Sequence, residues 1–250
     1  KDNRLRYYLS EKHSNLSQAR VCAIEKSKGD LISFLDVDDY WDENFLKEQV
    51  SLFNDINVKF SCSNFFIVDD KRKTRRVFRR YMPQGNVVDS LLCEYFVGLL
   101  TLMIRRDAYF YVGGFDSNYH IIGDFDLFLR LSKICLFESI QEPLASYRLH
   151  GKNLSSLNKE KEIEEFESWM RENKFNLSDL QTKKLQKNVN YRKFVNCKID
   201  GKYKKCINML LNSKIGLFNI KNVQRNVLPL LILVPIFILI MSIGLLRSGE

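Results

Sequence analysis

Three carboxylates within four positions, Asp36, Asp38 and Asp39, end the largely apolar run Leu31-Ile32-Ser33-Phe34-Leu35. A short apolar run bounded by turn formers reads as a buried strand of an α/β sheet, and ligands of such sheets bind just past the carboxyl ends of strands. Acids gathered this closely repel one another unless something positive joins them. A hard divalent cation with oxygen ligands and a diphosphate as co-ligand meets that need. The plainer alternative is that the acids cap the next helix, which Asp42 can do alone. A second acidic knot, Gly123-Asp124-Phe125-Asp126, opens an apolar helical stretch, Leu127 to Leu131. A carboxylate in a helix's first turn is stabilised by the dipole whether or not it is reactive, so Asp124 carries both a structural reading and a reading as a base. Further on, Pro143 to His150 forms a short strand ending in Arg148 and His150, a lone histidine of the kind that more often serves as a hydrogen-bonded structural residue.

The elements that would hold these residues follow from local pattern. Asn15 with Gln18 three positions on makes a capping box for a helix through Leu16, Ala19, Ala23 and Ile24, closed near Gly29. The strand into Asp36 comes next, then a helix opened by Asp42 with an apolar stripe of Phe45, Leu46, Val50, Leu52 and Phe53. Val58 to Val68 reads as a strand, Asp69 to Lys73 as a turn, and Thr74 to Arg80 as a second, basic strand. That hairpin holds seven basic residues between Lys71 and Arg80, as either a solvated face or an anion-binding one. Val97 to Ile104 is too short to span a membrane and reads as a helix end plus a buried strand. Gly113-Gly114-Phe115-Asp116 is a turn. Arg4 to Leu9 alternates like a strand. The fold class expected is α/β.

In this order the pieces resemble the family 2 glycosyltransferases, which have the GT-A fold. Asn15-x-x-x-Ala19-Arg20, Gly29-Asp30, Phe34-Leu35-Asp36-Val37-Asp38-Asp39 and Trp41 look like the family's nucleotide-sugar half. Gly113-Gly114-Phe115-Asp116, Asp124-Phe125-Asp126-Leu127-x-Leu129-Arg130 and Tyr147-Arg148-x-His150-x-x-Asn153-x-Ser155 look like its acceptor half. The likeness spans residues 1–156 and implies a Rossmann-like mixed sheet flanked by helices, binding a nucleotide-sugar donor and a saccharide or lipid-linked acceptor. It also implies a divalent metal, Mg²⁺ or Mn²⁺, held by Asp38 with His150 as a further metal or phosphate ligand. Arg20, Asp36 and Asp39 join Asp38 on the donor side. Asp124 would be the base of a single inverting displacement, with Trp41, Gly114, Asp126 and Arg148 as acceptor-side or phosphate candidates. For Arg148 a buried ion pair is the competing reading. Two departures stand out. The family's opening nucleobase strands have no counterpart, so truncation at the N-terminus is expected, and the Glu usual before the base is Gly123 here.

Composition sets the remaining bounds. The 250 residues carry a net charge of +9 and are 45% hydrophobic, enough for a large core and an appendage. The six cysteines show no CxxC pair and no zinc spacing, which fits buried reduced thiols in the cytoplasm. Residues 157–225 read as a basic helical region. Val227 to Leu246 is twenty residues without a charge, the length of a bilayer crossing. Basic residues crowd its N-terminal flank, so the positive-inside rule expects a single-pass membrane protein with a cytoplasmic catalytic domain. Nucleic acid is not among the expected partners. Two rival classes remain: a haloacid-dehalogenase-like phosphatase with Asp36 as nucleophile, disfavoured by Tyr40 where Thr or Val is wanted, and an inactive remnant or basic module binding membrane surfaces. The topology is checked by extraction and proteolysis. Carbonate should leave the chain in the membrane, and protease added outside sealed cells should spare the domain. Release or cleavage would defeat it.

Overall fold

The computed structural model describes residues 4–9 and 14–199. The first helix, α1 (Leu16–Lys26), begins where the capping box places it: Asn15 accepts the Gln18 amide at 2.8 Å, and Gln18 accepts the Asn15 amide at 3.2 Å. Its last turn is held by Arg106, whose guanidinium donates to the Ile24 carbonyl at 3.1 and 3.2 Å, a cation against the negative end of the helix. Then come β1 (Leu31–Ser33), β2 (Tyr40–Trp41), α2 (Phe45–Leu52), β3 (Phe60–Asp69), β4 (Thr74–Val77), α3 (Val88–Cys93), β5 (Met103–Arg105) and α4 (Arg106–Tyr111). The described part closes with α5 (Gly123–Ser132), β6 (Phe137–Leu149), α6 (Leu154–Leu157), α7 (Lys159–Glu172) and α8 (Asp179–Ile199).

The strands form one mixed sheet in the order β1-β5-β3-β6-β2, with β4 paired to the far end of β3. β3 and β6 run parallel, and β5 is antiparallel to both β3 and β1. Hence β1, β3 and β6 share a direction and deliver their carboxyl ends to one rim. The loop of residues 34–39 leaves β1 at one edge of the described sheet and reaches β2 at the other, crossing that rim. β6 is longer than expected, starting at Phe137 instead of Pro143. The register slips where Asn64 opposes Pro143, whose missing N–H cannot join the ladder. Asn64 makes good the irregularity: its side chain accepts the Phe65 amide at 3.0 Å and donates to the Arg79 carbonyl at 2.7 Å.

Other expectations shift by a few residues. β1 ends at Ser33, and Phe34 turns aside to meet Phe115 edge-on at 5.4 Å. The helix expected from Asp42 starts at Phe45, because Tyr40 and Trp41 are drawn into pairing with Ser146 and Ala145 of β6. Residues 5–9 carry no regular structure and are exposed.

The division expected after residue 156 does not coincide with a break in packing. Phe166 and Trp169 of α7 and Leu185 and Val189 of α8 are buried in the same cluster as Phe60, Phe125, Phe128 and Phe137, and the compact unit runs through Asn196. Burying each such side chain contributes roughly 1.5–3 kcal/mol. Basic residues beyond Lys202 and the apolar stretch 227–246 lie outside the described residues. Among the described residues no helix is long and apolar enough to cross a membrane.

Gly114 sits at φ +66°, where an added Cβ would lie 2.6 Å from the Tyr109 ring, whose hydroxyl is fixed by accepting the Phe115 amide at 3.0 Å. Gly114→Ala is therefore expected to lower stability by roughly 2–4 kcal/mol, the sum of a left-handed backbone penalty and overpacking. An unshifted urea midpoint would rule out this account of the turn.

Candidate active site

The shared rim gathers the acid loop, the end of β3 and the end of β6. Arg20, reaching over from α1, is only 15% exposed in its side chain and stands 3.2 Å from each oxygen of Asp36. Asp38 meets His150 Nε2 at 2.7 Å. That hydrogen bond holds the Asp38 carboxyl below its usual range, against a smaller opposing effect of burial. His150 Nδ1 accepts the Lys152 amide at 3.3 Å, which leaves Nε2 to carry the proton toward Asp38. Asn153 supports this arrangement, accepting the His150 amide at 2.6 Å and donating to the Arg148 carbonyl at 2.9 Å.

Asp39 accepts the Arg148 amide at 2.9 Å. Burial nonetheless pushes its carboxyl up to about 6, helped by the negative charges of Asp38 and Asp36. The Arg148 side chain turns to Asp70 at the end of β3, at 2.6 and 3.1 Å, and holds that carboxyl low. The ion pair expected for Arg148 as a competing reading is thus present, though exposed instead of buried.

The donor set suits a hard cation whose other ligands come from elsewhere. Among the described residues no three His, Cys, Asp or Glu side chains form a cage. Asp38 offers an ionised, partly exposed carboxylate, while His150 is engaged as a donor to it. Mg²⁺ is commonly held by one or two carboxylates plus substrate phosphates and water, so this rim fits such an ion.

Asp124 stands in the first turn of α5, on the α1 side of the site. Burial raises its carboxyl, while Arg20 is among the groups that favour its charge. One oxygen accepts the Phe125 amide at 2.8 Å. The buried Tyr95 hydroxyl lies beside this carboxyl without a hydrogen bond of good geometry among the described residues, and its own ionisation is pushed far up by burial and by Asp124. Arg20 is thus common to both groups of acids. It binds Asp36 directly and acts electrostatically on Asp124. The space beside Gly123 is taken by Ser17 of α1, whose Oγ would lie 2.9 Å from an added Cβ. Ser17 also donates to the Tyr119 carbonyl at 2.6 Å, which docks α1 on the loop before Asp124.

Three candidates lie in the scaffold around these groups. Asp126 is buried and fully engaged, with one oxygen taken by Trp169 Nε1 at 2.8 Å and the other by Arg130. Arg130 in turn donates to the Gly114 carbonyl at 2.7 Å, clasping the glycine turn to α5. Trp41 stacks on Phe45 at 4.3 Å and donates to the Leu100 carbonyl at 2.6 Å. Sequence reasoning missed Asp70, Tyr95 and the orienting role of Asn153. Asp70 was visible only as half of a turn's acidic pair, and Tyr95 left no signal at all.

The family model described as "Glycosyltransferase like family 2" matches residues 1–178. The chain belongs to that family. This family 2 glycosyltransferase chain is 28% identical over 164 residues to the UDP-Glc:alpha-D-GlcNAc-diphosphoundecaprenol beta-1,3-glucosyltransferase WfgD of Escherichia coli, covering 65% of this chain and 62% of that one. It is 28% identical over 161 residues to an uncharacterized glycosyltransferase of Rickettsia bellii, covering 64% of this chain and 23% of that one. It is likewise 28% identical over 154 residues to the amylovoran biosynthesis glycosyltransferase AmsB of Erwinia amylovora, covering 56% and 49%. The chain thus spans less than two thirds of these relatives. Residues 1–349 of TarS from S. aureus superpose with a TM-score of 0.51 at 12% identity, over 82% of this chain and 56% of that one. The shared fold is the mixed α/β sheet flanked by helices typical of GT-A glycosyltransferases.

Asp126→Ala would strand the Arg130 guanidinium and the Trp169 N–H. A loss of roughly 3–5 kcal/mol is expected, the usual cost of removing one partner of a buried pair. Denaturant unfolding measures it, and a loss below about 1 kcal/mol would show that Asp126 is not an anchor.

Proposed function

We propose that this chain transfers a sugar from a nucleotide-sugar donor to a hydroxyl of a saccharide or lipid-linked acceptor, with inversion at the anomeric carbon. The observation that supports the reading is the hold of Arg20 on Asp36 at 3.2 Å, with its charge also favouring the ionised form of the buried Asp124. Arg20 thereby links a donor-side acid electrostatically to the group read as the base. The names of WfgD and AmsB, which mention GlcNAc-diphosphoundecaprenol and amylovoran biosynthesis, support a cell-surface polysaccharide setting.

In the reaction, Asp124 accepts the proton of the acceptor hydroxyl as its oxygen attacks the anomeric carbon. The carbon–oxygen bond to the diphosphate breaks, and the nucleoside diphosphate leaves with that electron pair. Burial suits Asp124 to the task, because a carboxylate raised above its ordinary pKa is a stronger base once ionised. Asp38 would hold Mg²⁺ or Mn²⁺, which when bound supplies Lewis-acid stabilisation of the charge on the leaving diphosphate. His150 keeps Asp38 ionised and oriented. Arg20 holds Asp36 for the donor and offsets the repulsion among the acids. The uncharged stretch 227–246 would keep the site at the membrane, where a lipid-linked acceptor resides.

A donor screen on the full-length protein, reading released nucleoside diphosphate with Mg²⁺ or Mn²⁺ present, tests the reading. Asp124→Asn should retain donor affinity and lower transfer by at least about a hundredfold, the scale of a lost general base. Asp38→Ala should instead lose metal-dependent donor binding. Because burial raises Asp124, the wild-type rate should rise with pH through a value above the ordinary carboxylate range of about 4. Below that value the base is protonated and inert. Transfer by Asp124→Asn within a fewfold of wild type would overturn its role.

A further inference from the structure

We propose that Glu165 of α7 is a positioning residue for Asp124, an inference that rests on reading Asp124 as the base. Glu165 is a carboxylate only 9% exposed, on the helix that also carries Glu162, which feels the charge of Asp124. Its two oxygens receive three consecutive backbone amides: His120 at 3.0 Å, Ile121 at 2.8 Å and Ile122 at 3.1 Å. These residues immediately precede α5. The cap position of that helix is Ile122, so the three amides lie at or before the cap, and Glu165 fixes the approach to the helix, not the amides of its first turn. Charge-assisted hydrogen bonds in a buried setting are the stronger kind, and three of them converge here.

One turn along the same face of α7, Trp169 donates to Asp126 at 2.8 Å. Between the two anchors, the Phe125 ring packs against Phe166 at 4.9 Å and Trp169 at 5.5 Å. A turn further, Glu172 accepts the Tyr119 hydroxyl. Residues 165, 169 and 172 thus fix points on either side of Asp124, whose side chain accepts the Phe125 amide. A local cap would only start the helix. A carboxylate more than forty positions away also sets where that helix start lies relative to Arg20 and the acid loop.

Two variants of the full-length protein test this. Glu165→Gln keeps the shape but replaces one acceptor oxygen with a donor facing an amide. Glu165→Asp keeps the charge and withdraws it by one methylene. Glu165→Gln should lower kcat at least about tenfold, since small misplacements of a reacting group are costly. The donor KM should stay within about twofold, because Glu165 touches nothing on the donor side. Glu165→Asp should fall between it and wild type. Hydrogen exchange at amides 120–122 should quicken in both variants, while the sheet amides keep their protection.

The distinguishing measurement is a cycle with Asp124→Asn. If Glu165 acts through Asp124, adding Glu165→Gln to Asp124→Asn lowers transfer no further. An equal fall in both backgrounds would mark a loss of folded enzyme and overturn the proposal, as would unchanged exchange at 120–122 or an unchanged kcat. Transfer that survives Asp124→Asn strikes the base assignment and removes the catalytic meaning of Glu165 with it. A large loss in Asp124→Asn beside wild-type kinetics in Glu165→Gln overturns Glu165 alone.

Discussion

Like charges confined to one rim are the constraint around which this structure is arranged. Asp36, Asp38, Asp39 and Asp70 all lie at the carboxyl ends of parallel strands, where the fold offers no intrinsic positive charge. Each acid has acquired its own remedy: Arg20 for Asp36, His150 for Asp38, a backbone amide for Asp39 and the Arg148 guanidinium for Asp70. The remedies are unequal. Asp38 is held ionised, whereas Asp39, less exposed to water and flanked by two acids, is pushed toward protonation. Neighbouring residues of one loop are thereby given different chemistry by their surroundings alone.

Dependence on Arg20 extends to the helices. α1 has to lie where Arg20 can reach the loop, and its docking is polar as much as apolar. Asn15 donates to the Ser117 carbonyl, Ser17 to the Tyr119 carbonyl, and Arg106 closes the far end of the helix. The absence of a side chain at Gly123 lets Ser17 approach closely. α5 is held from its other side by α7. The Asp124 carboxyl therefore sits in a segment clamped between two helices from distant parts of the chain.

Much of this was legible in local pattern. The capping box of α1, the acid loop after β1, the hairpin of β3 and β4 and the acidic start of α5 all depend on neighbours within a few positions. What escaped depends on pairing across the fold. Nothing in the stretch around Glu165 distinguishes it from the other acids of α7, because its partners lie more than forty residues away. Asp126 and Gly114 were read with the reactive groups because they adjoin them in sequence, yet Arg130 ties them together as scaffold. The start of α2 was misplaced because Tyr40 and Trp41 answer to β6, not to the helix behind them. The irregular start of β6 hid its true length.

The loop between β1 and β2 has a mechanical consequence. It joins the first strand of the sheet order to the last with only six residues between Ser33 and Tyr40. Part of that length is spent in the turn where the Asp39 amide meets the Asp36 carbonyl. So short a tether makes the width of the sheet a ruler for the acids. Twisting or spreading the strands would pull Asp36 and Asp38 along, whereas a longer hairpin at β3–β4 would leave their spacing untouched. The turn between Asp70 and Thr74 is free of that tether, but length between Phe34 and Asp39 bears directly on where the acids stand.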